Sequence, residues 1–351
     1  MKKISYIISV LILVWGCANE IREIKKENPL FSEEGSVAMQ KSTGIIDLES
    51  IGIFNPTKVI RKDSLLIVLN QNGVNKLSIY KLDGTKLFSF LPTGTGAAEG
   101  LYFLTMNMDS DGMLTAYDFG NDKLVELDIN QRDEPGFGPT FTSLSSTPKH
   151  LSVAKKGSLI LSTGIFSEGR YCLTHDNHSD YFLSYPETPG KENISDSLKS
   201  MLFASNITKL KPDGSKFVCA NMQSGIIDIG MIHDNSTITR ISEQNLYAPK
   251  ATLSSQKSKP VVYSIDNLFG FCDIEVTDDY IYALYSGRSY RNFKNMVGYG
   301  EKIIVFDWEG NHVKTYQLSI PFTNISYNKE EHAIYGLTNT PKSLLVKYAL
   351  E

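Results

Sequence analysis

Hydrophobic and polar positions in this chain alternate in short runs, and the runs come in pairs joined by polar turns. Six pairs read TKVI-RKDS-LLIVLN (57–70), YFLTMNM-DSDG-MLTAYDF (102–119), KHLSVA-KKGS-LILSTG (149–164), NITKLK-PDGS-KFVCANM (206–222), CDIEV-TDD-YIYALYSG (272–287) and FTNISY-NKEEH-AIYGLTN (322–339). β-Branched and aromatic runs flanking turns of Asp, Asn, Gly, Ser and Lys mark β-hairpins. The second strands begin near 65, 113, 158, 216, 280 and 333, so the unit recurs every 45 to 64 residues.

A third strand follows each pair: 76–82, 123–129, 170–176, 226–232, 302–308 and 343–349. A fourth follows in five units, at 85–91, 140–144, 180–185, 236–242 and 312–318. Four antiparallel strands repeated around an axis make a propeller blade. The predicted fold class is therefore all-β, a six-bladed propeller of four-stranded antiparallel blades spanning 37–351. The sixth unit ends after its third strand, and an orphan strand, TGIIDLES (43–50), precedes the first. The N-terminal strand is expected to complete the last blade, which removes the exposed edges of an open ring.

In such a blade the turns after the first and third strands fall on one face, and the remaining connections fall on the other. The predicted long segments 92–101, 186–205, 243–271 and 286–301 all belong to that second face, and only 130–139 breaks the rule. Long loops on a rigid scaffold are where binding and catalysis concentrate. In the first of them, TGTGAAEG (93–100), the Lys-Ser/Thr and following helix of a phosphate loop are missing, so the glycines are expected to permit a tight crossing into blade two, with Glu99 accepting backbone hydrogen bonds near the axis. The last contains Arg288, Tyr290, Arg291, Phe293, Lys294 and Tyr299, the composition of a recognition patch. Candidate binding residues are Glu99, Arg288, Tyr290, Arg291 and Tyr299.

Ahead of the repeats, Lys2 and Lys3 precede an apolar run from Ile4 to Val14, closed by Gly16-Cys17. The run has the length of a signal peptide and is short of the ~20 residues that span a bilayer. A small residue before cysteine suits a lipoprotein signal peptidase, so residues 1–16 are expected to be removed and Cys17 to carry lipid. Two acyl chains on one residue hold a protein to a membrane stably. Residues 17–36 are then a lipidated tether, whose ~19 residues would reach roughly 25 Å. Ala18, rather than aspartate, follows Cys17, which is compatible with delivery to an outer membrane.

Loss of the leader takes the formal net charge from −4 to −6, because it removes two lysines and no acid. A mildly acidic chain with no basic cluster argues against nucleic acid as a partner. Beyond Cys17, Cys172, Cys219 and Cys272 lie in or beside apolar runs and are expected to be buried free thiols. The histidines are scattered, and His175 and His178 share a turn without further ligands around them. Asp109-Ser110-Asp111-Gly112 resembles a calcium loop, but Gly120 stands where an EF-hand needs Glu, so it reads as a hairpin turn. No Gly-x-Ser-x-Gly elbow occurs. No catalytic residue, metal or cofactor is expected.

Three passages resemble the TolB-like six-bladed propeller lipoproteins of Gram-negative bacteria. They are LSIYKLDGTKLFSFLPTGTGAAEG (77–100), YGEKIIVFDWEGNHVKTYQL (299–318) and HAIYGLTNTPKSLLVKYAL (332–350), together with the Cys17 lipobox. Ala97 stands where that pattern often has proline. The resemblance implies the fold and carries no catalytic residues. The leading expectation is an envelope lipoprotein that binds a protein or glycan through the face with the long loops. The alternatives are a propeller hydrolase or lyase acting on a sugar or lactone, and an accessory scaffold in an envelope complex.

Overall fold

The computed structural model describes residues 36–38, 42, 44–144, 149–176, 178–188, 194–254 and 260–350. Cys17 and the leader lie outside them.

Six four-stranded antiparallel sheets stand around one axis. Blade one is β3 (Lys58–Lys62), β4 (Leu65–Leu69), β5 (Asn75–Lys81) and β6 (Lys86–Pro92). Blade two is β7 (Phe103–Met108), β8 (Met113–Asp118), β9 (Lys123–Asp128) and β10 (Thr140–Ser143). Blade three is β11 (His150–Lys156), β12 (Leu159–Gly164), β13 (Tyr171–His175) and β14 (His178–Phe182). Blade four is β15 (Asn206–Leu210), β16 (Lys216–Asn221), β17 (Ile226–His233) and β18 (Thr237–Asn245). Blade five is β21 (Phe271–Val276), β22 (Tyr280–Tyr285), β23 (Gly300–Asp307) and β24 (His312–Phe322).

Blade six takes three strands from the C-terminus, β25 (Asn324–Asn328), β26 (Ala333–Thr338) and β27 (Leu344–Ala349), and its fourth, β2 (Gly44–Asp47), from the N-terminus. The register pairs Gly44 with Lys347 and Asp47 with Leu344. The ring is thus closed by the orphan strand, and Leu48 is sealed between blades six and one. One feature was not legible in the pattern. β1 (Ser36–Ala38) adds in parallel to the outer edge of blade five, at Thr315–Gln317.

Alternation places one apolar set of each strand against the next blade. Each of the six seams has its own core, the smallest being Tyr117, Leu124, Val153 and Ile160 between blades two and three. The three cysteines are buried and free. Turn chemistry fixes the hairpins. In Asp109-Ser110-Asp111-Gly112, Asp109 Oδ1 accepts from the Asp111 and Met113 amides, and Gly112 supplies φ +84°. The calcium-like carboxylates instead receive Lys156, at 3.0 Å from Asp109 and 2.5 Å from Asp111.

Two long connections contain elements of their own. Segment 186–205 includes helix α1 (Asp196–Leu202), capped by Ser195, and 243–271 folds back as the hairpin β19 (Ala251–Leu253) and β20 (Val261–Tyr263). They pack together over Tyr185, Leu202, Phe203 and Ile226, with Tyr263 donating to the Leu202 carbonyl at 2.8 Å. The 3.6-residue and 2-residue periods are too short here to stand out in sequence.

Candidate functional site

The first strand of every blade lines the axis, and charged residues on these strands meet inside it. Lys58 of blade one donates to both oxygens of Asp273 of blade five, at 3.2 and 3.0 Å. Asp273 also accepts from the Ile325 amide of blade six at 3.0 Å. Lys209 of blade four lies 3.0 Å from Glu275, which is 3.9 Å from Lys58. Burial alone would lower the Lys58 ammonium, but Asp273 and Glu275 outweigh it and raise its pKa. Burial lowers that of Lys209. These four side chains form a septum with one mouth on each side.

On the face with the long loops, the mouth is a cavity of about 300 Å³ rimmed by Leu104, Met106, Leu151, Ile207 and Met222. Lys58, Asp273 and Cys272 also line it. Among the described residues, fifteen large apolar side chains are exposed. Ten lie on this face: Phe54, Val74, Leu101, Tyr102, Leu104 and Ile165, then Val262, Ile265, Tyr290 and Phe293. The last four come from two segments tied together. The Arg291 amide donates to the Ile265 carbonyl at 2.9 Å, and a bridge joins Leu268 to Ser289.

The residues singled out from sequence occupy different environments. Arg288 is buried, donates to the Met296 carbonyl at 3.1 Å, pairs with Glu301 and stacks on Phe293 at 4.7 Å. It holds the blade-five loop from within. Tyr290 is half exposed on the short helix α2 (Tyr290–Phe293). Arg291 is paired with Asp266, its Nη2 at 2.8 Å. The Tyr299 hydroxyl is 3.1 Å from that of Thr340.

Glu99 accepts the Gly96 amide at 2.7 Å, and a Cβ on Gly94 would stand 2.0 Å from its carboxylate. Lys123 fastens the same loop by donating to the carbonyls of Gly96, Ala97 and Glu99 at 2.6–3.1 Å. Burial lowers the pKa of that ammonium. Glu99 lines neither axial cavity.

Sequence reasoning passed over the single apolar residues in otherwise polar loops. The available signal was position: Phe54, Val74, Tyr102 and Ile265 all sit in connections of one face. The septum had a signal too, since Lys58 and Asp273 are charges in otherwise apolar first strands.

A Ser–His pair exists, with His150 Nδ1 2.8 Å from Ser162 Oγ, but both residues are buried and line neither axial cavity. Among the described residues, no three His, Cys, Asp or Glu side chains are grouped to hold a metal ion. Nor is any helix among them long and apolar enough to cross a membrane.

The family model described as TolB-like six-blade propeller-like matches residues 36–328. The chain belongs to that family. This TolB-like propeller is similar to a solved Bacteroides fragilis protein provisionally assigned as exported, at 12% identity over 90% of this chain and 99% of that one, TM-score 0.52. It is also similar to the Cps50 (Swd1) β-propeller domain of Myceliophteria thermophila, at 10% identity over 84% and 97%, TM-score 0.45. A third structure is a Bacteroides uniformis protein provisionally assigned as a 6-phosphogluconolactonase, at 14% identity over 76% and 72%, TM-score 0.42. The first likeness shows the fold alone, and the other two carry no functional argument. No curated protein matches the TolB-like propeller in sequence.

Proposed function

We propose that this TolB-like propeller is a non-enzymatic binding module of the cell envelope, exported and anchored through lipid on Cys17, which engages a protein partner through its long-loop face. The observation that supports this reading is the concentration of exposed apolar side chains there, ten of fifteen, around a mouth that is itself apolar-rimmed. Exposed apolar side chains gathered on one face of a folded domain, with those of 262–265 and 290–293 held together, are the composition of an interaction site. Tyr290 and Phe293 supply the aromatic anchors such surfaces use, with Arg291 beside them at the rim. Export agrees with the description given to the Bacteroides fragilis relative and with the leader pattern.

The test is a comparison of full-length chains in detergent-solubilised envelope. Tyr290→Asp and Phe293→Asp together should shift the protein from a large complex to its free size on gel filtration. Val313→Asp, at the outer edge of blade five, should not. A complex that survives the first pair and dissociates with the control would remove the long-loop face from consideration.

A further inference from the structure

The opposite mouth of the channel has a different chemistry, and of the residues that line it only Asn107 also lines the mouth on the long-loop face. It is a funnel of about 310 Å³ lined by the ends of the first strands of all six blades and by the turns that follow them in blades two, four, five and six. That volume lies at the lower end of small-ligand pockets, which run from about 300 to 1,000 Å³. We infer that this funnel is a carbohydrate-binding site for the end of a glycan, one or two sugar rings deep.

One side of the funnel is aromatic. Tyr282 of blade five and Tyr327 of blade six have ring planes 11° apart with centroids 6.2 Å apart, and Tyr280 stands edge-on to Tyr282 at 6.4 Å. The Tyr327 hydroxyl is fixed by His332 Nδ1 at 3.2 Å. A pyranose carries C–H groups on its ring faces and hydroxyls around its edge. An aromatic wall takes the C–H face, and polar groups opposite take the hydroxyls.

The rest of the lining supplies donors and acceptors in matched pairs. Lys62 donates to Glu330 at 2.8 Å, Lys156 to Asp109 at 3.0 Å and Lys209 to Glu275 at 3.0 Å. Asn107, Ser110 and Asn328 add uncharged polar groups. Six of the seven cations that line the funnel are paired with a carboxylate, Arg61, Lys155 and Lys211 as well as these three, so most of the positive field that a phosphate or nucleotide would need is compensated. Its charged walls are equally unsuited to an apolar ligand. Vicinal hydroxyls, which donate and accept at once, match such pairs.

The fold also contains a reporter. Trp308 Nε1 donates to the carbonyl of Thr277, a residue of the funnel wall, at 3.1 Å. Trp15 lies in the leader expected to be removed, so Trp308 is the one tryptophan of the processed full-length protein.

The experiment titrates that full-length protein with glucose, galactose, N-acetylglucosamine, glucuronic acid, cellobiose and, separately, inorganic phosphate. Calorimetry and Trp308 emission are read together. At least one sugar should saturate at millimolar concentration or below, and phosphate should not. Tyr327→Ala and Tyr280→Ala should each weaken that sugar about tenfold, the size of one lost aromatic contact. Tyr280 is exposed, so its variant tests the site even where Tyr327→Ala fails to fold. Tyr290→Ala, on the far face, should leave the affinity within about twofold. A flat response to every sugar overturns the inference. So does saturation by phosphate alone, or sugar binding that Tyr280→Ala leaves unchanged.

Discussion

Lys58 Nζ reaches past blade six to hold both carboxylate oxygens of Asp273, so blade one is fastened to blade five across the axis. Both side chains are more than nine-tenths buried. Removing Asp273 would leave Lys58 with only Glu275, at 3.9 Å, beside it inside the ring, and breaking such a buried pair costs about 3–5 kcal/mol. Asp273→Ala should therefore lower unfolding free energy by that amount in urea denaturation. Lys58→Met with Asp273→Leu should recover much of it, because an apolar pair carries no stranded charge. A double variant that loses more than Asp273→Ala, by the full cost of Lys58→Met alone, would mean that the pair does not act as a unit.

The seam between blades three and four depends on Asp228. Its carboxylate is wholly buried and accepts from Arg170 at 3.0 Å, from Tyr171 at 2.7 Å and from Arg240 at 3.0 Å through two nitrogens. Asp228→Ala strands the buried Arg170 guanidinium and should cost about 3–5 kcal/mol. Glu243, which is partly exposed and 3.3 Å from Arg170, should matter much less. Denaturation of Asp228→Ala and Glu243→Ala side by side checks the ranking.

Stability should fall with mild acid. Burial lowers the pKa of His150 from its ordinary 6.5, and that of His312 likewise. The unfolded chain therefore binds protons that the folded chain resists. The stabilisation from His150 is whole above about pH 6.5 and is lost as pH falls below it, by at most about 1.4 kcal/mol per pH unit, and the exposed His312 contributes less. His150→Gln should flatten the decline between pH 6.5 and 5 relative to the parent. An unchanged slope would show that His150 takes no part.

Arg288 and Tyr290 are two residues apart and should behave oppositely. Arg288→Ala removes an internal strut of the blade-five loop and should cost about 1–3 kcal/mol. Tyr290→Ala removes a half-exposed ring and should change stability by less than about 0.5 kcal/mol. Thermal melts of the two variants separate scaffold from surface within one loop.

Closure of the ring can be tested by truncation. A chain beginning at Glu49 lacks β2 and the fully buried Leu48, and leaves the edge of β27 unpaired. The loss should be at least about 3 kcal/mol, combining one buried leucine with several strand hydrogen bonds. The open edge should also promote association at high concentration. A truncated chain with the parent's denaturation midpoint would contradict closure by this strand.

The blades were readable because each strand repeats one physical requirement. A strand buried on both sides between blades, such as Leu65–Leu69 or Ile281–Leu284, needs unbroken apolar residues, and a polar turn must follow. The closing strand was readable from Ile46 and Leu48, which pack into the seam between blades six and one, although Ile45 is exposed. By contrast, β1 and the hairpin β19–β20 are three-residue strands, too short for any pattern to emerge.

The candidate site was legible by face but not by residue. Loop length marks where the surface is elaborated, and says nothing about which polar groups are spent internally. Arg288 looks available in the sequence, yet its guanidinium is taken up by Glu301, Met296 and Phe293. Phe54, Val74 and Tyr102 look incidental in separate loops, and only the ring brings them to one face. The tyrosines of the funnel were read as strand residues, which they also are.

The most direct test of the long-loop face as the binding surface is site-specific photo-crosslinking in the intact envelope. A photoreactive phenylalanine analogue would replace Tyr290, Tyr102 or Val313 in the full-length chain. The account predicts a discrete protein adduct from positions 290 and 102, and none from 313 at the outer edge of blade five. Adducts from 313 with none from 290 or 102 would contradict it.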